Sequence, residues 1–511
     1  MTSQPASRLN LYTCYAQHFP APGQLLLITE SGDTYTYADA ERISAQMANY
    51  LLSLGLRPGD RVSAQVEKSP ECMWLFLAVI RAGFVFHPLN TAYTDEELDF
   101  FLRDAEPSLM VCEPARRDNM QSLCETAGVG HLRTLGGEDA DSLMFAAAQC
   151  EATFVNAATA ASDVAALVYS SGTTGRPKGI MLTHGNLVSN ASTLAGLWGF
   201  GPRDCLLHAL PVYHVHGLFV ALGCVLMSGA SMRWLANFRV DAVLSALPGC
   251  TVMMGVPTYY TRLLASDAFG VDQCRNMRLF VSGSAPLAAD TWHEFERRSG
   301  HRILERYGMT ETGMNTSNPL SGERRPGTVG LPLPGVELRI CDQFNKVLPA
   351  GEVGDIQVRG PNVFCGYWKL PEKTAEEFTT DGYFVTGDKG VIDVDGYVSI
   401  VGRSKDMVIT GGLNVYPKEV EVVIDALPGV LESAVIGLPD DDFGESVAAV
   451  VVPDGSDELD AEAIRVAVRA RIAGYKVPKA VFLIDELPRN AMGKVRKDAL
   501  RDRYAEGNNT G

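Results

Sequence analysis

This chain has no apolar run long enough to cross a membrane. Its longest apolar stretches, such as residues 218–227 with Gly223 inside, fall short of the ~18–20 residues a spanning helix needs. Residues 1–10 are polar with one Arg, and lack the apolar core of a signal peptide. No membrane partner is expected, and a cytoplasmic or equally reducing compartment is. Paired cysteines are also missing. The eleven cysteines are scattered, none forms a CxxC pair, and their odd number argues against a disulfide framework. Most sit beside apolar residues and read as small core fillers. Excess positive charge is absent too. A net charge of −17 disfavours nucleic acid as a partner, because phosphate binding depends on surplus Lys and Arg. It also requires that any anionic substrate be captured by local cations, since the overall field repels it. No repeat of fixed period is visible.

What is present is the composition of a folded protein with more than one core. Over 511 residues, 46% are hydrophobic and 21% charged, which implies at least two domains. Helical spacing runs through residues 36–54, where Ala40, Ile43, Met47, Tyr50, Leu51 and Leu54 form one stripe. Gly55 and the turn Arg57-Pro58-Gly59-Asp60 end it, and residues 61–66 read as a strand. The alternation continues with helices at 71–81 and 95–104 and strands at 85–88 and 108–112. That order predicts an α/β fold with a mostly parallel sheet covered by helices.

Near residue 325 the texture changes. Gly and Pro become dense, and short β-rich runs at 336–340, 354–359 and 397–401 predict a smaller β subdomain. A second shift comes at Gly402-Arg403-Ser404-Lys405-Asp406. Beyond it lie helical patterns at 417–426 and 461–473 and a strand at 433–437. Residues 505–511 are expected to be a disordered tail.

The most informative stretch is Tyr169-Ser170-Ser171-Gly172-Thr173-Thr174-Gly175-Arg176-Pro177-Lys178-Gly179, which follows a strand-like run at 165–169. Its glycines let the backbone approach a polyanion, its hydroxyls add donors, and Arg176 and Lys178 add charge. The spacing is not that of a Walker A loop, which needs Lys-Ser/Thr directly after the second glycine.

This loop resembles the phosphate-binding signature of the adenylate-forming superfamily, which includes acyl-CoA synthetases, luciferases and peptide synthetase adenylation domains. Four further segments match in order: Arg306-Tyr307-Gly308-Met309-Thr310-Glu311-Thr312, Tyr383-Phe384-Val385-Thr386-Gly387-Asp388, Gly402-Arg403-Ser404-Lys405-Asp406 and Pro488-Arg489-Asn490-Ala491-Met492-Gly493-Lys494. The resemblance implies a large N-terminal domain, residues 1–402, with mixed and parallel sheets sandwiched by helices and a β subdomain from about 325. A hinge at 403–406 and a small mobile α+β domain at 407–504 would follow. It implies ATP, Mg²⁺ and coenzyme A as cofactors.

Under this resemblance Ser170, Ser171, Gly172, Thr173, Thr174, Gly175 and Lys178 hold phosphates, Glu311 holds Mg²⁺ and Thr310 contacts the α-phosphate. Asp388 accepts from the ribose hydroxyls and Arg403 supports the same sugar. Ser282, Gly283, Ser284, Glu305, Arg306, Tyr307 and Gly308 complete the nucleotide site. Lys494 reaches the carboxylate and α-phosphate during adenylation, and a flexible stem with a compact charge suits a contact that is made and released. Lys405 marks the hinge, after whose rotation Gly411 and Gly412 face coenzyme A. Lys494 is also a candidate target for acetylating enzymes, since acetylation removes its charge.

The segment Tyr213-His214-Val215-His216-Gly217 reads as a strand with both histidines on one face. No Cys or carboxylate cluster accompanies them, which disfavours zinc. In the family this stretch lines the acyl pocket, with His214 and Val215 beside the substrate and His216 near the reacting carboxylate. The local details look closest to malonyl-CoA synthetases. A second carboxylate on the substrate needs a paired donor set, and Arg278 or Arg262 is the expected partner. Met309 is expected to wall the central carbon. The alternatives are the same ligation of methylmalonate, an aryl acid or a medium-chain fatty acid, a luciferase-type monooxygenase, and a carrier-loading module.

Overall fold

Early helices begin where a side chain can take up the free N–H groups of the first turn. The computed structural model describes residues 8–137, 141–170, 177–410, 413–440, 443–455, 459–472, 474–490 and 493–505. In it Thr36 caps the helix Tyr37–Ser53 and Asp39 returns the bond, and Thr94 with Glu97 does the same for Asp95–Ala105. Ser69 caps Pro70–Arg81, whose residues from Cys72 onward are all buried. A helix apolar all round has to lie inside a core. Phe76 on it meets Phe86 of one sheet and Phe219 of the segment His216–Ala221.

Two large sheets share that core. Among the described residues the first has seven strands. Gly366–Tyr367, Lys178–Thr183 and Val164–Ser170 pair antiparallel, and Val85–Pro88, Arg61–Gln65, Leu109–Cys112 and His131–Thr134 continue parallel from Val164–Ser170. The second has nine, with a parallel centre running Ile303–Met309, Leu279–Ser282, Val252–Gly255, Cys205–His208, Ser231–Trp234 and Leu25–Thr29. Ligand sites in such sheets form where the carboxyl ends of parallel strands open into a crevice. Here those ends carry Ser282, His208 and Gly255.

A third, antiparallel sheet of Glu337–Cys341, Gly354–Arg359, Phe384–Ile392 and Val398–Arg403 contributes Ile340, Ile356, Val358 and Phe384 to the same core. The fourth sheet has cores of its own. Its long hairpin, Val430–Asp440 with Gly444–Pro453, sends Val435, Val447, Ala449 and Val451 to one face and Ala434, Ile436, Leu438, Ala448, Val450 and Val452 to the other. Pro417–Asp425 and Ala461–Arg469 cover the first face, and Leu500 of Lys497–Ala505 packs on the second. This α+β unit is smaller than the part before it.

Three expectations need correction. The strand expected at 433–437 is eleven residues long. The helix expected at 461–473 ends at Arg469. The histidine segment is no strand: residues 212–214 form a turn, and a π-helix begins at His216. Gly217 shows the reason, because a Cβ there would fall 2.0 Å from the carbonyl oxygen of Pro211. No described helix is long and apolar enough to cross a membrane. Of the tail expected at 505–511, Ala505 ends the helix Lys497–Ala505, and 506–511 lie outside the described residues.

Candidate active site

The strand Leu279–Ser282 ends in the turn Ser282-Gly283-Ser284, where Ser284 holds φ at +71°. A side-chain-bearing residue in left-handed backbone is costly and concentrates at functional turns. Ser284 Oγ lies 3.3 Å from His216 Nδ1. With the serine donating to Nδ1, His216 carries its proton on Nε2, which is buried and has no hydrogen-bond partner among the described residues. Burial, then Arg306 and the other two histidines, keeps His216 well below the usual imidazole range. Burial with Lys494 and Arg306 lowers His214 to about 3. Both rings are therefore neutral at physiological pH.

Arg306 is the centre of this end of the site. It is 3% exposed, and neither Nε nor Nη2 has a hydrogen-bond partner among the described residues. Burial lowers it to about 9, so it remains a cation. A desolvated guanidinium with open donors costs several kcal/mol until an anion fills it. Ser282 Oγ is likewise buried and open. Ser282, His216 and Arg306 thus offer open polar atoms beside one turn.

A second cluster lies further along. Tyr307 donates to Asp388 Oδ2 at 2.5 Å, and Arg403, directly opposite Asp388 in the antiparallel pair, reaches Oδ1 at 2.9 Å. Burial first, and then Asp388, raises the Tyr307 hydroxyl far above its ordinary range. The Asp388 carboxylate keeps unused lone pairs for further donors. Glu311 is 6% exposed, and burial raises its carboxyl while Arg403 and Lys178 pull it back. Tyr367 Oη is 3.4 Å from Glu311 Oε1 and 2.5 Å from Glu377 Oε2. Lys178 closes the chain, 3.0 Å from Glu377 Oε1 and 4.3 Å from the Tyr367 ring centroid. Glu377 and Tyr367 had no local signature in the sequence. Their role shows only through contact.

Lys494 reaches this cleft from the C-terminal unit. The turn before it is docked: a Cβ on Gly493 would sit 3.6 Å from Thr258 Oγ1 of the large unit. Protein surrounds Lys494, yet its own surface stays open to water, as expected of a side chain lining a wet cleft. Desolvation and Arg403 lower its ammonium pKa, while Asp388 and Glu311 oppose them. Lys178, Arg306, Arg403 and Lys494 together supply local positive potential in a chain of net charge −17.

Residues 16–368 match the AMP-binding enzyme family, and residues 419–494 match the AMP-binding enzyme C-terminal domain. The chain belongs to the AMP-binding enzymes. It is similar to MatB of Rhodopseudomonas palustris solved with ATP bound, at 51% identity over 98% of this chain and 99% of that one, with a TM-score of 0.95. Against apo MatB, at the same identity and coverage, the TM-score is 0.85. A malonate–CoA ligase of Arabidopsis thaliana is 36% identical over 482 residues, covering 88% of this chain and 78% of that protein. A feruloyl-CoA synthase of an Amycolatopsis species is 36% identical over 481 residues, covering 93% and 95%.

In this AMP-binding enzyme Ser170 ends its strand directly opposite Lys178. Ser171, Gly172, Thr173, Thr174 and Gly175 lie outside the described residues, as do Gly411 and Gly412. Val215 is buried between the two histidines, and Gly308, Met309 and Thr310 run on from Tyr307 to Glu311. Gly308 meets the neighbouring strand, where a Cβ would fall 2.0 Å from Gly313 O. Glu305, on the same strand, accepts from Gly327 N at 3.3 Å. Lys405 is exposed on the turn Ser404–Asp406.

Neither arginine expected to face the acid is among the buried open donors of this site. Arg278 directly precedes the strand Leu279–Ser282, at the end away from Ser282, and four residues of extended chain span about 13 Å. Its guanidinium is taken by both Asp204 oxygens at 2.8 Å and by the carbonyls of Trp198 and Gly199. Arg262 is exposed on the helix Pro257–Leu264. Arg306, expected in the nucleotide site, holds the open donors instead.

Proposed function

We propose that this enzyme is an ATP-dependent malonate–CoA ligase. One malonate carboxylate oxygen attacks the α-phosphorus of ATP and diphosphate leaves. The coenzyme A thiol then attacks the acyl carbon of the malonyl-adenylate and AMP leaves. The observation that carries the choice of acid is Arg306, a buried cation with two open donors beside His216 and Ser282. A monocarboxylic acid would leave that charge unanswered, whereas the distal carboxylate of malonate would neutralise it.

The remaining residues fit the two anions that must meet. Lys178 and Lys494 would neutralise phosphate charge, Asp388 and Arg403 would hold the ribose, and Thr310 would contact the α-phosphate. Glu311 is suited to Mg²⁺, because among the described residues its buried carboxylate meets no other side chain more closely than Tyr367, at 3.4 Å. Among the described residues no cluster of three or more His, Cys, Asp or Glu could hold a metal. Phosphate oxygens and water would therefore supply the other ligands, and the ion would offset charge on the phosphates. Met309 would stand beside the central carbon.

After adenylation the unit beyond Ser404–Asp406 would turn about Lys405 and withdraw Lys494, letting one pocket serve two transition states in succession. Gly411 and Gly412 would then approach coenzyme A. Acetylating enzymes acting on Lys494 would block the first step alone, and a cytoplasmic setting would supply ATP and coenzyme A. The test is exchange of labelled diphosphate into ATP, which needs malonate but no coenzyme A. Malonate-dependent exchange is expected, followed by malonyl-CoA when coenzyme A is added. No exchange with malonate, but exchange with another acid, would overturn the choice of acid.

A further inference from the structure

A lysine lies buried beneath the acyl end of the site, where the reaction scheme gives it no part. Lys68 is 8% exposed. Its Nζ is 2.9 Å from His208 Nδ1 and 2.7 Å from His208 O, and lies 4.5 Å from the centroid of the Trp234 ring. Both of its described hydrogen bonds therefore go to one histidine. Burial lowers the ammonium well below the ordinary lysine range. A methionine of similar length would fill the same space without that desolvation cost, so packing alone does not account for an amine here.

His208 carries the contact onward. Its Nε2 lies 3.0 Å from Gly217 O. With Lys68 donating to Nδ1, the ring has its proton on Nε2 and donates it to that carbonyl. Gly217 follows His216 and is pressed against Pro211 O, and Leu218 N bonds back to His214 O at 2.9 Å. The whole turn is thus held by backbone contacts with no slack. Lys68 follows the strand Arg61–Gln65 of the first sheet, whereas His208 and Trp234 are register partners at strand ends of the second. The bond ties the two sheets together directly under His216.

We propose that Lys68 is a positioning residue for the carboxylate-facing end of the site, acting through His208 on Gly217 and so on the aim of His216 Nε2. The inference rests on the reading that His216 faces the reacting acid. Lys68 fixes the tautomer of His208, the tautomer fixes the Gly217 carbonyl, and the carbonyl fixes the turn. A small displacement of such a group costs on the order of 10–100-fold in rate without loosening the fold.

The test compares Lys68→Met, His208→Gln and His208→Leu with wild type by thermal unfolding and by acid-dependent diphosphate exchange. Lys68→Met is expected to melt at or above the wild-type temperature, while kcat/KM for malonate falls on the order of 10–100-fold and KM for ATP moves less than about twofold. His208→Gln keeps an N–H for Gly217 O and should retain more activity than His208→Leu. Wild-type kcat/KM for malonate in Lys68→Met, or equal behaviour of the two His208 variants, would overturn the proposal. So would equal losses for malonate and ATP with a lowered melting temperature. If wild type activates a different acid, the malonate reading fails, and the same comparison made with that acid still decides the role of Lys68.

Discussion

Gly283 exists for the sake of Arg306: a Cβ on the glycine would fall 2.4 Å from the guanidinium carbon and 2.5 Å from Nη1. Real side-chain carbons do not approach so closely, and Arg306 is enclosed and cannot swing into solvent. Gly283→Ala should therefore displace the guanidinium. We expect kcat/KM for malonate to fall on the order of 10–100-fold, with KM for ATP changed far less. Malonate kinetics like those of wild type would mean that Arg306 does not face the acid.

Lys494→Ala should abolish most adenylation while leaving thioester formation from preformed malonyl-adenylate largely intact. The lysine enters the cleft beside Asp388, Glu311 and Arg306 from a unit joined to the rest through Ser404–Asp406. The two half-reactions can be timed separately with synthetic adenylate. Equal losses in both would rule out separate arrangements for the two steps.

How far the sequence revealed this architecture depended on whether the cause was local. The helix Tyr37–Ser53 was legible because its stripe and its Thr36–Asp39 cap lie within one segment. The hairpin Val430–Pro453 was underestimated because both of its faces are covered, so its apolar residues run on instead of alternating. The shape of the His214 and His216 segment is not legible locally, because Gly217 packs against the Pro211 carbonyl. The sequence puts Arg278 beside Ser282, but nearness along the chain is not nearness in space. Its partner Asp204 lies 74 residues away. The open donors of Arg306 could not be read at all, since they depend on what the folded chain fails to place beside them.

Glu377 should matter to ATP although it is no motif residue. Burial alone would raise its carboxyl, but the Tyr367 hydroxyl and the Lys178 ammonium outweigh it and hold the group below its ordinary range. Glu377→Gln would free Lys178 and leave the Tyr367 proton to Glu311. KM for MgATP should rise roughly tenfold, and the Mg²⁺ concentration for half-maximal rate should rise with it. Unchanged nucleotide binding, read directly by calorimetry, would contradict the network.

Glu305 gives the fold a pH dependence. Burial pushes its carboxyl up to about 8, against backbone donors and Lys418 that draw it down. In the unfolded chain a glutamate titrates near ~4.3. Between these values the folded protein binds the extra proton, so stability falls as pH rises through that window, by at most about 1.4 kcal/mol per unit. Glu305→Gln removes the term. Its melting temperature should decline less than that of wild type from pH 5 to pH 8, and parallel curves would refute the assignment.

The central claim is that a buried cation selects a dicarboxylic acid, and competition between acids tests it most directly. Wild-type enzyme with ATP, Mg²⁺ and coenzyme A would be given malonate, propionate or butyrate at equal concentration, and the thioesters quantified. A site built around a charged group loses several kcal/mol when that group is missing, so malonate should be favoured by roughly 10²–10⁴-fold. Arg306→Met should collapse most of that preference. A ratio near one in the wild type, or a preference that survives Arg306→Met intact, would contradict the account.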